Sequence, residues 1–253
     1  MQSERQGGGR PAVITIDGPA GVGKGTLAAR LARHLGFDLL DSGALYRVVG
    51  LAADRAGLLA GGRPDEGAIA ALARALDLVF EVGELSSARD APAAPAVRQP
   101  MRIRLDGEDV TDQIRSERVG GSASVVAALP QVRQALLGRQ REAVRQPGLV
   151  ADGRDMGSVV FPDACVKLFL SATPQVRAAR RYNQLKEQGV AVNLDDLVNQ
   201  IAERDRRDRM REASPLVPAH DAVQIDTSEL GLGDVFAQAL AHVERAGLRP
   251  RLS

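Results

Sequence analysis

The chain has 253 residues, 44% of them apolar, with a formal net charge of +1 at pH 7. Such a balance excludes a protein-wide field for nucleic acid, and the single cysteine, Cys165, excludes an internal disulfide or a cysteine-built metal cluster. No apolar run reaches the ~20 residues that cross a bilayer. A cytoplasmic protein with no membrane partner is therefore expected, and Cys165 reads as a buried thiol. Aromatic residues make up only 3% and Trp is absent, so the core must be aliphatic. Of 33 basic residues only Lys24, Lys167 and Lys186 are Lys.

The polar, Gly-rich start, residues 1–11, lacks an apolar signal core and is expected to be a disordered tail. Val13–Ile16 is a compact β-branched run, a buried strand. A Gly-rich turn follows, and Leu27, Leu31 and Leu35 then recur at the spacing of an amphipathic helix. Phe37–Leu40 reads as a second strand, ending at Asp41-Ser42-Gly43, and a helix is expected from Ala44 to about Ala56. This βαβα alternation predicts a parallel sheet with crossover helices.

The pattern then breaks. Ala68–Leu76 reads as helix and Leu78–Val82 as strand. Gly83–Pro100 is rich in Ala, Pro and Ser, a linker or loop. Met101–Leu105 followed by Asp106-Gly107 reads as strand and tight turn. Residues 67–130 are therefore expected to form an inserted lobe, with 12–66 and 131–250 as the core. Pro130 opens a helix to about Arg145. Alternation resumes with strands at Leu149–Ala151 and Val166–Leu170. Thr173-Pro174 opens a helix to about Gln188, and Asn193 caps a helix over Leu194–Arg211. A strand at Ala222–Ile225 and a helix over Asp234–Ala246 close the chain.

Gly18-Pro19-Ala20-Gly21-Val22-Gly23-Lys24-Gly25-Thr26 lies between the first strand and helix, the context a phosphate loop requires. Glycines let backbone N–H groups turn around an anion, the helix start adds its positive dipole end, and Lys24 reaches the transferring phosphate. Gly25 stands where the general pattern has Ser or Thr, and Thr26 follows it. Ser42, Tyr46 and Arg47 follow the second strand, and Asp152-Gly153-Arg154-Asp155 follows another. Both segments are expected at the carboxyl edge of the sheet, where ligands bind in open α/β folds. On the helix from Leu194 the apolar stripe Leu194, Leu197, Val198, Ile201 continues on the same face as Arg204, Asp208 and Arg211. Inward charges need partners or a ligand. Pairs at i,i+4, Glu203–Arg207 and Arg204–Asp208, offer a purely structural alternative. His34 and His220 read as structural, as do Glu203, Arg206, Arg207 and Arg209.

Ile16-Asp17-Gly18-Pro19, the glycine loop, Leu40–Arg47, Gly107–Thr111, Ala151–Gly157 and Glu203–Arg209 together resemble the bacterial cytidylate kinase family of P-loop nucleoside monophosphate kinases. The resemblance runs from about Ala12 to Gly247. It implies an α/β, P-loop NTPase-type three-layer fold with a central parallel sheet, an inserted monophosphate-binding lobe and a short helical lid over about 180–212. It also implies Mg²⁺-dependent transfer of the ATP γ-phosphoryl group to CMP, and to dCMP, by a monomer. Residues 18–26 and Arg180 would hold ATP. Lys24, Arg47, Arg154 and Arg181 would neutralise charge in the reaction. Arg204 and Asp208 would meet the ribose and Arg211 the base. Ser124 and Arg133 enter only by residue matching, as readers of cytosine. Thr26 and Asp152 would stand near Mg²⁺, through water. Arg177, Arg180 and Arg181 share one helix, of which one or two would touch ATP phosphates. The acceptor is an ionised phosphate, so no general base is needed and transfer rests on alignment and charge neutralisation. Asp155 suits the N4 amine of cytosine, and Arg133 and Arg211 suit N3 and O2. Rival readings are a kinase for UMP or AMP, a kinase for a small non-nucleotide acid, and a P-loop switch that binds ATP without fast turnover.

Overall fold

The structure is a computed structural model that describes residues 10–60, 64–82, 101–187, 189–211 and 213–250. The expected tail, apart from residues 10 and 11, and the Gly83–Pro100 linker lie outside the described residues.

In chain order the elements are β1 (Ala12–Asp17), α1 (Lys24–Leu35), β2 (Asp38–Asp41), α2 (Ser42–Arg55), α3 (Glu66–Ala75), β3 (Leu78–Val82), β4 (Met101–Leu105), β5 (Glu108–Asp109), α4 (Glu117–Val126), α5 (Pro130–Arg141), β6 (Gly148–Asp152), β7 (Val166–Ser171), α6 (Pro174–Glu187), α7 (Leu194–Met210), β8 (Val223–Asp226) and α8 (Leu232–Arg245). A 3₁₀ turn covers Gln113–Arg115 and a π-helical turn Met156–Val160.

The parallel sheet expected from the alternation is present, with strand order β2-β6-β1-β7-β8. Its strands carry apolar residues on both faces, as a sheet covered by helices on both sides must. Ile14 and Ile16 of β1 pack with Leu27, Leu31 and Leu35 of α1 and Val235 and Val243 of α8. On the other face Leu149 and Ala151 of β6 meet Leu45 of α2 and Met156 and Phe161. Register brings Ile16 beside Asp152 and Asp152 beside Asp41. The carboxyl ends of β1, β2 and β6 therefore open on one edge.

The stretch of antiparallel character is a separate three-stranded sheet, β3-β4-β5. Asp106 (φ 50°) and Gly107 (φ 82°) form its turn, the pair of left-handed residues that an Asp-Gly hairpin requires. This sheet shares a core with α2, α3, α4 and α5, built on Leu51, Ile69, Ile103, Val126 and Leu136 among others.

Helix α4 is absent from the sequence expectation. Gly120 and Gly121 lower its propensity, although Ser116 caps it by accepting from the Val119 N–H. Helix α5 stops at Arg141, short of Arg145, because the chain must turn back before Pro147 to enter β6, and the residue before a proline disfavours helix. Two further expectations need correction. Cys165 is exposed, lying in the short connection before β7. Leu194 is 42% exposed, since the apolar stripe of α7 meets α6 only from Leu197 onward.

Candidate active site

The turn after β1 is shaped by left-handed backbone. Gly18 has φ 143° and faces the Leu170 carbonyl so closely that a Cβ would lie 2.2 Å from its oxygen. Only glycine lets the loop leave β1 in contact with β7. Gly23 (φ 93°) then caps α1 without a side-chain bond, leaving the first N–H groups of the helix for an anion. The Lys24 ammonium donates to the Pro19 carbonyl (2.9 Å) and stands 3.9 Å from Asp152 Oδ1. It is only 6% exposed. Burial, reinforced by the Arg154 charge, pushes its pKa down to about 8.

A cleft of about 1130 Å³ opens over this edge. Residues 20–26 of the loop line one part. Ser42, Tyr46, Arg47, Ser124, Arg133, Asp152, Arg154, Asp155, Arg204, Asp208 and Arg211 line the rest, with Arg180 and Arg181. Of the residues assigned to nucleotide or metal from sequence, only Gly18 and Pro19 are not lining: Gly18 abuts Leu170, and the Pro19 carbonyl accepts from Lys24.

Most of these arginines have an identifiable support. Arg47, one turn into α2, donates to the carbonyls of Ile114 (2.6 Å) and Ser116 (3.2 Å). Its guanidinium rests against Gly120, where a Cβ would lie 3.1 Å from Nη2. The glycine that hides α4 in the sequence therefore makes room for Arg47. Arg154 Nε meets Asp208 Oδ2 at 3.1 Å, so Asp208 pairs across the cleft. Of the two i,i+4 pairs offered as the structural alternative, Glu203–Arg207 occurs, at 3.8 Å. Arg133 pairs with Asp155, donates to Ser214 Oγ (3.2 Å) and the Ala127 carbonyl (3.1 Å), and lies over the Tyr46 ring. Arg180 is held by the hydroxyl (3.1 Å) and carbonyl (2.6 Å) of Thr227, and the Thr227 hydroxyl lies 3.3 Å from the Val22 carbonyl of the loop. Arg181 reaches from α6 to Glu117 at the start of α4. Arg177 is 1% exposed, and its guanidinium is paired with Asp205.

Positive charge dominates. Arg204 is pushed down to about 10 by burial and then by Arg154, and burial lowers Arg47 and Arg211 as well. Burial raises the Asp208 carboxyl, but Arg154, Arg211 and Arg204 outweigh it and hold it below its ordinary range. Among the described residues, five buried side-chain polar atoms have no partner. Three of them, Ser124 Oγ, Arg204 Nε and Arg211 Nη2, belong to residues of this cleft. Buried unpaired polar atoms are costly. No three His, Cys, Asp or Glu side chains among the described residues converge as a metal cage.

Several supporting groups escaped the sequence reading. Asp17 ends β1 and accepts from the N–H groups of Met156 and Gly157 (both 2.8 Å), clamping the Asp152–Asp155 turn to the strand. Burial above all pushes its pKa up to about 6. A carboxylate closing an apolar strand was the available signal. Ser214, Thr227 and Asp205 had none, because their partners are distant in sequence.

A strand, a left-handed glycine turn and a helix opening on a buried lysine, at the carboxyl edge of a parallel sheet, define a P-loop kinase fold. The family model for cytidylate kinase matches residues 14–245. A cytidylate kinase of Shewanella denitrificans is 52% identical, covering 93% of this chain and 97% of that relative. Those of Pseudomonas savastanoi pv. phaseolicola (51%, covering 93% and 96%) and Azotobacter vinelandii (50%, covering 92% and 96%) are similarly near. The chain belongs to the cytidylate kinase family, and it is an enzyme, a nucleoside monophosphate kinase. No helix of the described residues is long and apolar enough to cross a membrane.

Proposed function

We propose that the enzyme transfers the γ-phosphoryl group of ATP to CMP, and to dCMP, in line across the cleft. The observation that carries this reading is the set of unpartnered buried polar atoms, Ser124 Oγ, Arg204 Nε and Arg211 Nη2, on residues that line the same cleft as the glycine loop. Naming of the relatives as cytidylate kinases supports the choice of base.

In this reading residues 18–26 wrap the donor phosphates and Lys24 follows the transferring group. Arg47 and Arg154 hold the acceptor phosphate, and Arg181 adds charge from α6 once it leaves Glu117. Burial first, and then repulsion from neighbouring cations, lower the Lys24 and Arg204 pKa values. Two nucleotides would relieve that repulsion, most of all as charge spreads over the transferring phosphoryl group. Arg204 and Asp208 would face the ribose. Asp155 would accept from the cytosine amine, while Arg133, Arg211 and Ser124 donate to its acceptor edge. Tyr46, buried below Arg133, would floor the base site.

Thr26 and Asp152 fit a metal ion that arrives with the nucleotide, since such an ion keeps most of its ligands from water and phosphate. Bound there through water, Mg²⁺ would supply further neutralisation of the phosphate oxygens. The lobe 67–130 and the lid 180–212 would close over both substrates and exclude water.

A steady-state coupled assay across CMP, dCMP, UMP and AMP tests the reading. CMP should exceed UMP in kcat/KM by ~10²-fold or more, because uracil reverses donor and acceptor at two positions and leaves buried groups unpaired. Equal kcat/KM for CMP and UMP would sink the base-reading assignment. ATP binding without turnover on any monophosphate would sink the transfer itself.

A further inference from the structure

Arg177 is the largest of the fully buried side chains, and it is charged. It stands in the first turn of α6, yet nothing about its position serves α6 alone. Its Nε donates to the Ala172 carbonyl at the end of β7 (3.1 Å). Its Nη1 donates to the Ala20 carbonyl within the phosphate loop (3.2 Å) and to Asp205 Oδ1 (3.0 Å), and Nη2 meets Asp205 Oδ2. The contact with the loop is also steric, since a Cβ on Gly21 would lie 3.2 Å from the Arg177 Cβ. One planar fork therefore joins three bodies: the sheet edge, the donor loop and α7.

The point where it grips α7 is telling. Asp205 is the residue after Arg204 and one turn before Asp208. The apolar contact between α6 and α7 is small, with only Ala178, Leu185 and Leu197 buried in it, and it ends before the charged half of α7 begins. A buried ion pair adds little stability over an apolar pair of equal volume. What it does supply is directional register, because a bidentate guanidinium fixes its carboxylate in angle as well as distance.

We infer that Arg177 and Asp205 are positioning residues: their buried pair registers α7, and with it Arg204 and Asp208, against the phosphate loop. The inference rests on the proposed reading that Arg204 and Asp208 hold the acceptor. Both side chains are buried and engaged with one another. Their effect passes through Arg204 and Asp208, so that the acceptor-binding groups take their position from the donor loop.

The test replaces the pair by apolar residues, Arg177→Met with Asp205→Leu, in the full-length enzyme. Wild-type turnover of CMP is measured first, which checks the underlying reading separately. The doubly substituted enzyme should keep its unfolding temperature within ~5 °C, as apolar replacement of buried pairs commonly allows. Its kcat/KM for CMP should nevertheless fall ~30-fold or more, since misplacement by ~1 Å can cost ~10²-fold. In an Arg204→Met background the same pair replacement should cost clearly less than in the wild type, because coupled sites are non-additive and only the path through Asp208 remains. Undiminished CMP turnover in a folded double variant overturns the inference, and so does a full loss that persists in the Arg204→Met background. Should the apolar pair fail to fold, Asp205→Asn keeps the shape and one acceptor oxygen. It should lower kcat/KM for CMP by ~5- to 10-fold, the range of a weakened charge-assisted bond, and no change would equally overturn the inference.

Discussion

Replacing Asp155 by Asn tests the base site at one pair of atoms. Asp155 is 2% exposed, and its Oδ2 takes the guanidinium of Arg133. The amide has the same shape but one acceptor oxygen and one donor nitrogen. If the oxygen stays with Arg133, the nitrogen turns toward the base. The stability cost follows from Arg133. Exchanging the charged acceptor for a neutral one beside a buried guanidinium costs about 2–3 kcal/mol, and Arg133 keeps its neutral acceptors Ser214 Oγ and the Ala127 carbonyl. That moderates the larger penalty of stranding a buried charge. In a chain of this length the unfolding temperature should drop by roughly 4–12 °C, which leaves the enzyme folded for assay. The catalytic cost has a different signature. The cytosine amine would meet a donor in place of an acceptor, lowering kcat/KM for CMP by ~10²-fold. The O4 of uracil would meet a donor it lacked, so UMP turnover should rise. Calorimetry and a coupled assay with both monophosphates measure the two effects separately. An equal fall for CMP and UMP, with their ratio unchanged, would refute the assignment of Asp155 to the base.

Two other outcomes are expected. With a Lys24 pKa of about 8 in the free enzyme, the ammonium is lost as pH rises through that value. kcat/KM for ATP, which reports the free enzyme, should fall above about pH 8, while kcat stays level to higher pH because bound phosphate retains the proton. Lys24→Met should lower kcat by ~10²–10³-fold and remove that alkaline limb, and an unchanged limb would exclude Lys24 as its source. Gly120→Ala should raise helix stability by up to about 1 kcal/mol yet press on the Arg47 guanidinium. A raised or unchanged unfolding temperature, with a several-fold higher KM for CMP, is expected; an unchanged KM would free Gly120 from that role.

Much of the architecture was legible in the chain itself. Local signals placed β1, the glycine turn, α1, the cap at Asn193 and the helix start at Pro130, because strand, turn and helix preferences act over a few residues. The periodicity of α7 also showed an inward face passing from Leu197 and Ile201 to Arg204, Asp208 and Arg211. It misjudged Leu194, because periodicity tells which residues share a face but not where the neighbouring helix ends. Helix α4 was hidden for a related reason. Gly120 is poor for a helix and right for Arg47, and nothing local reveals the second fact.

What the sequence by itself determined is the class of chemistry: a phosphate loop between strand and helix, and a second set of arginines bound for the same sheet edge. Tertiary structure alone decided the partners. Arg154 took Asp208, Arg177 committed its guanidinium to Asp205, and Asp17 clamped the turn that carries Asp155. Charged groups choose partners by distance and burial, and both are set when segments far apart in the chain pack together. A guanidinium in a sequence is a charge without an address until the fold supplies one.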